Sequence, residues 1–141
     1  MRIFLDANIL VTVVRNEYPR YGPCARVMSL ADRSGFSVYT SPLCLAIAFY
    51  FAEKKNGRKL AKKKLALLSE KLKITKMDGP AVQQAIQNKM VEDFEDGLQY
   101  YSAQASKCEC IVTYDKSDFH FSKMEVLDPE EFLLKYVAKQ N

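Results

Sequence analysis

The sequence holds a single histidine, His120, among 141 residues. That scarcity removes any mechanism needing two imidazoles and argues against a zinc site built from Cys and His. A Ser-His-Asp triad would have to use His120, which sits in Asp118-Phe119-His120-Phe121, and no G-x-S-x-G elbow occurs. Cysteine supplies no site either. Cys24, Cys44, Cys108 and Cys110 form no C-x-x-C pair, and the C-x-C at 108–110 has no second half. They read as reduced, partly buried thiols of a cytosolic protein. No apolar run approaches the roughly 20 residues of a membrane span. The opening Met1-Arg2-Ile3-Phe4-Leu5-Asp6-Ala7-Asn8 turns polar too soon for a signal peptide. The expectation is a cytoplasmic protein that engages no membrane. Internal repeats and low-complexity linkers are missing as well.

What is present suits one globular domain over residues 1–141. Apolar residues make up 48% and charged residues 27%, enough of each for a core and a solvated surface. The net charge of +4 conceals an asymmetry. Residues 53–76 carry ten bases against two acids, a net +8 that leaves the rest of the chain at −4. Acids gather instead at Glu92-Asp93-Phe94-Glu95-Asp96 and at Asp115 and Asp118. Bases that attract a polyanion, beside carboxylates that hold a cation, would serve a metal-dependent enzyme acting on nucleic acid. A solvated lysine-rich helix face is the alternative.

Strand and helix signals alternate along the chain. Residues 2–6 read as a short buried strand, and 7–15 as a helix despite competing valines, with Asp6 and Asn8 as capping groups. Residues 16–23 read as a loop, 24–34 as a helix, and 36–40 as a second strand. Ser41-Pro42 starts a helix reaching about Lys55 and stopping at Asn56-Gly57. A basic helix follows over 58–70, with Leu60, Leu65, Leu68 and Leu72 as its apolar stripe. Residues 72–76 make a third strand, and Asp78 caps a helix to Gln87. A longer helix runs from about Asp93 to Lys107 with Leu98, Tyr101 and Ala105 inside. Residues 109–114 are a fourth strand, Val126-Leu127 a short fifth, and the last helix runs from Asp128-Pro129 to about Lys139. The pattern implies an α/β fold, a mostly parallel sheet of four or five strands covered on both faces.

In such folds ligands bind beyond the carboxyl ends of the strands. Asp6 ends the first strand and Asp115 the fourth, so both enter one crevice if those strands are neighbours. Asp96, on the first turn of the helix leading into the fourth strand, can reach it too. Asp93 shares its helical face, and Asp118 follows Asp115 by three residues. Clustered carboxylates persist through a bound cation or retained protons, and all-oxygen ligands suit Mg²⁺ or Mn²⁺. Taken singly, each acid also fits a cap or turn role.

Four stretches in order resemble the PIN domain, the small metal-dependent nuclease fold of VapC-type toxins. They are Ile3-Phe4-Leu5-Asp6-Ala7-Asn8-Ile9-Leu10, Ser41-Pro42-Leu43, Asp93-Phe94-Glu95-Asp96-Gly97-Leu98-Gln99, and Ile111-Val112-Thr113-Tyr114-Asp115-Lys116-Ser117-Asp118-Phe119. The resemblance implies a PIN-like α/β/α sandwich and metal-dependent hydrolysis of RNA. It assigns catalysis and Mg²⁺ or Mn²⁺ binding to Asp6, Asp96 and Asp115, with Asp93 and Asp118 as auxiliary ligands. Asn8 and Thr113 become supporting residues. It also implies a small antitoxin partner and a homodimer. Arg58, Lys59, Lys62, Lys63 and Lys64 are the candidate RNA contacts. The chain departs from the family where a second acid is usual. Ile47 stands there, and its expected role is core packing. The resemblance therefore leaves a catalytically degenerate module, binding RNA or a protein without cleaving, as the alternative.

Overall fold

The computed structural model describes residues 1–138. Five strands, β1 (Arg2–Leu5), β2 (Ser37–Thr40), β3 (Lys73–Ile74), β4 (Cys110–Val112) and β5 (Glu125–Leu127), form one parallel sheet in the order β3-β2-β1-β4-β5. Seven α-helices connect them: α1 (Ala7–Val14), α2 (Tyr21–Ser29), α3 (Pro42–Asn56), α4 (Arg58–Lys71), α5 (Gly79–Gln87), α6 (Phe94–Ala105) and α7 (Pro129–Phe132). The sheet is fully parallel, and β1 and β4 are neighbours with Leu5 opposite Val112. Ile3, Phe4, Leu5, Ile111 and Val112 are completely buried, as strands covered on both faces require.

The first crossovers step from β1 to β2 to β3, and the next reverses to reach β4 on the other side of β1. Right-handed connections then put α1 to α4 and α5 to α6 on opposite faces. Packing agrees, since α1 meets α2 and α3, α3 meets α4, and α5 meets α6. The reversal opens a crevice between β1 and β4 at their carboxyl ends.

Several expected boundaries shift for local reasons. The second helix begins at Tyr21 rather than at residue 24, because Pro23 falls in its first turn, where a missing N–H costs nothing. It ends at Ser29 and tightens into a 3₁₀ turn, Leu30–Asp32, short of the expected residue 34. The third strand shrinks to two residues, because Leu72 closes α4 instead and is buried there. The fourth strand stops at Val112, where Thr113 and Tyr114 turn toward Asn8. After α7, residues Leu133–Val137 widen into a π-helical turn. The expected end of that helix, Lys139, lies outside the described residues. In α4, Leu68 is buried as expected, but Leu60 is exposed and Ala61 takes the inner position.

The inner face of α6 also differs. Gly97, Gln99, Tyr100, Ser102 and Ala103 are buried, while Leu98 and Tyr101 are half-buried and Ala105 is exposed. Polar groups occupy that face because they find partners there: Ser102 donates to Thr75, and Gln99 accepts from Ser41.

Candidate active site

Asp6 leaves β1 through a backbone N–H bond to Val112 O of β4 (3.1 Å) and caps α1, its Oδ1 accepting from Ala7 N at 2.8 Å. Its Oδ2 accepts from the Thr113 hydroxyl at 2.9 Å and from Asn8 Nδ2 at 3.3 Å. The Asn8 amide also reaches Thr113 Oγ1 (2.9 Å) and Asp115 Oδ2 (3.2 Å), while its Oδ1 accepts from Tyr114 N (3.1 Å). Thr113 Oγ1, fully buried, accepts in addition from Asp115 N at 3.0 Å. Two neutral side chains thus cross-link the carboxylates that follow β1 and β4.

Asp96 joins from the first turn of α6. Burial first, then the charges of Asp118, Asp93, Asp6 and Glu95, push its carboxyl from the ordinary 3.8 up to about 7. Asp6 is pushed up to about 6. Burial is the main cause there too, opposed by the Ala7 and Thr113 hydrogen bonds and aided by Asp115 and Asp118. Asp118 is raised as well, by burial and then by Asp115 and Asp93. These mutual influences bring Asp6, Asp96, Asp115 and Asp118 into one electrostatic cluster. Asp93 belongs to its rim and is partly committed, since its side chain caps α6 by accepting from Glu95 N at 2.9 Å.

Chemically this is a set of hard oxygen donors whose charges repel. Among the described residues, no three His, Cys, Asp or Glu side chains stand close enough together to enclose a metal ion. That spacing suits a hydrated ion of the Mg²⁺ type, which takes one or two carboxylates and keeps several waters. It does not suit a closed all-protein cage.

Position 47 is not core. Ile47 is half-buried on α3, outside the set of core side chains. The group that α3 sends toward Asp6 is Cys44, one turn earlier, fully buried with Sγ 4.0 Å from Asp6 Oδ1. Burial, then the Asp6 charge, push its thiol up to about 12, so it stays neutral. Ser41 caps α3 by accepting from Cys44 N (3.0 Å) and donates to Gln99 Oε1 (2.5 Å). The Gln99 Nε2 beside it is buried without a hydrogen-bond partner. Sequence reasoning missed the neighbourhood of Cys44 and Gln99. The available signals were their spacings, three residues after the Ser41 cap and three after Asp96.

The basic helix does not join this cluster. Lys64 donates to Val14 O (2.6 Å) and Asn56 Oδ1 (3.1 Å), and Lys55 donates to Arg15 O. Both lysines therefore sit at the C-terminal end of α1, whose N-terminal end carries Asp6, about 12 Å of helix away. Arg58 pairs with Glu53 (3.2 Å), and Lys59, Lys62 and Lys63 are exposed on the same helix.

Fold and site together define a small doubly wound α/β protein with a carboxylate crevice at the carboxyl edge of its sheet. A family model for the PIN domain matches residues 2–117, and the chain belongs to that family. Ribonuclease VapC1 of Aquifex aeolicus is 27% identical over 135 residues, covering 93% of this chain and 92% of that protein. VapBC2 from Rickettsia felis, solved bound to a DNA fragment from its promoter, superposes with a TM-score of 0.68 at 18% identity, over 91% of this chain and 98% of that one. VapC20 of Mycobacterium tuberculosis, described as a sarcin-ricin loop cleaving toxin, gives 0.67 at 18% identity, over 88% and 98%. At such identities the structural likeness speaks for the fold alone.

Proposed function

We propose that the protein is a ribonuclease that hydrolyses RNA phosphodiesters with Mg²⁺ or Mn²⁺, as the toxin of a toxin–antitoxin pair. The observation that carries this reading is the cluster of Asp6, Asp96, Asp115 and Asp118 at the β1–β4 switch point, with Asp6 raised by burial and the charges of Asp115 and Asp118, and Asp96 by burial and the charges of Asp118, Asp93 and Asp6. The ribonuclease and toxin names of its VapC relatives support the substrate and the role. Asp6, Asp96 and Asp115 would hold the cation, one or two of them directly and the rest through its waters, with Asp118 and Asp93 beside them. When bound, such an ion supplies charge neutralisation at the scissile phosphate and an activated water.

The chain's own residues set the geometry. Thr113 and Asn8 hold the carboxylates of Asp6 and Asp115 at fixed separation, which keeps an ion from having to reorganise them. The neutral Cys44 thiol closes the floor beside Asp6 against water. A small antitoxin and a second copy of the chain are the partners this reading implies. Lys59, Lys62 and Lys63 would then act on RNA only as a distal electrostatic patch.

A second reading, binding without cleavage, is favoured by Ile47 alone. Cleavage of mixed cellular RNA in Mg²⁺, Mn²⁺ or EDTA, with Asp96→Asn beside the parent, separates the two. Metal-dependent cutting that disappears in the variant upholds the nuclease. Cutting that survives EDTA or the substitution sinks it, and no cutting by the parent leaves the binding module.

A further inference from the structure

A carboxylate crevice repels the polyanion it is meant to act on, so a cation free to meet phosphate is needed at its rim. Lys116, next to Asp115, does not qualify, because Glu131 (2.6 Å) and Asp128 (3.8 Å) hold its ammonium. Arg20 does. It is exposed in the loop before α2, and it makes no ion pair among the described residues. Its guanidinium carbon lies 4.0 Å from the ring centroid of Tyr114, the residue between Thr113 and Asp115. That ring is itself fixed: its hydroxyl donates to Glu130 Oε1 at 2.9 Å and contacts Cys24 Sγ at 3.8 Å, and its backbone N–H is bonded to Asn8. Beside Arg20, Tyr18 leaves 76% of its surface in water, and its ring centroid is 5.2 Å from that of half-buried Tyr21.

A guanidinium centred over an aromatic ring leaves N–H donors free for phosphate. An exposed tyrosine backed by a second ring is a stacking surface of the kind that single-stranded nucleic acid uses. We propose that Arg20 on Tyr114, together with Tyr18 on Tyr21, forms a seat for one unpaired nucleotide next to the scissile phosphate, Arg20 taking a phosphate and Tyr18 a base. This rests on the reading of the crevice as a ribonuclease site and adds the residues that would seat an unstacked nucleotide beside it. A base inside a duplex cannot present its face, so paired RNA does not fill the seat.

The test is binding, which keeps it separate from catalysis. In an Asp115→Asn background that leaves RNA intact, fluorescence anisotropy compares end-labelled single-stranded oligoadenylate with its oligouridylate duplex. Tyr18→Ala should weaken single-strand binding about tenfold with an unchanged salt slope. Arg20→Ala should weaken it by a similar factor and reduce the slope of log affinity against log salt by about 0.7, one phosphate contact on a single strand. Arg20→Lys should restore the slope but not the affinity, because an ammonium keeps the charge and loses the plane. Duplex binding should be weaker and indifferent to all three. Unchanged single-strand affinity in both alanine variants overturns the seat and leaves the patch as a face for a protein. So does an equal loss on the duplex. If the variants behave as expected while no RNA is ever cleaved, the seat stands and the nuclease reading falls. Cleavage that needs metal and Asp96 but is paired with unchanged binding means the reverse.

Discussion

Asp96→Asn should stabilise the metal-free protein even though it removes a residue of the proposed site. The Asp96 carboxyl is pushed from 3.8 up to about 7 by burial and by the charges of Asp118, Asp93 and Asp6. In the unfolded chain it ionises near 3.8, so between pH 4 and 7 the folded state holds more proton than the unfolded one. Stability of the parent must therefore fall as pH rises through that window, and it is highest below pH 4 with respect to this group. The whole gap corresponds to roughly 4 kcal/mol at 1.36 kcal/mol per pH unit. Asp96 is only half-buried, however, and solvent screening reduces the expected value to about 1–2 kcal/mol. Asparagine keeps the shape and cannot ionise. Urea unfolding in EDTA should show the variant more stable by that amount at pH 8, with the difference shrinking toward pH 4. Adding Mg²⁺ should reverse the ranking, because the parent gains binding energy that the variant loses. A variant less stable than the parent at pH 8 in EDTA would refute the reasoning, since Asp96 would then be stabilised by partners rather than strained by neighbours.

Thr113→Val leaves Asp6 Oδ2, Asn8 Nδ2 and Asp115 N each short of a partner; the expected cost is about 1–3 kcal/mol, read by urea unfolding. Gly97→Ala would bring a methyl to 2.7 Å from Val91 Cγ1 and 3.0 Å from Ala85 Cβ, wedging α5 from α6 at a cost of about 1–3 kcal/mol in the same assay. Lys64→Ala should lower stability by about 0.5–1 kcal/mol, through loss of its bond to the last carbonyl of α1, whereas exposed Lys62→Ala should leave it unchanged. Ile47→Glu should raise Mn²⁺ affinity severalfold in calorimetry at pH 8; unchanged affinity would mean that this position does not face the carboxylates.

The path of the chain was legible because its signals are local. Asp6 after an apolar strand, Ser41-Pro42 and Asp128-Pro129 are caps, and caps depend on a few neighbouring residues. The meeting of Asp6 with Asp115 was legible only as a condition on strand order, which β1 and β4 satisfy. The lysines lie apart from the acids because nearness in charge composition is not nearness in space. Lys64 is spent on the far end of α1, while Arg20, an isolated base in a loop, lies on the ring of Tyr114, the residue before Asp115. The inner face of α6 misled for a related reason. A search for apolar spacing selects Leu98 and Tyr101, but Gln99 and Ser102 are buried because Ser41 and Thr75, distant in sequence, satisfy them. No local pattern records such a pairing. Asn8 and Thr113, uncharged and unremarkable in composition, were singled out by the family resemblance alone; they are joined across 105 residues to brace the acids. An inventory of charge finds the carboxylates; the geometry that makes them act together resides in neutral donors, whose bonds become visible only once the strands are side by side.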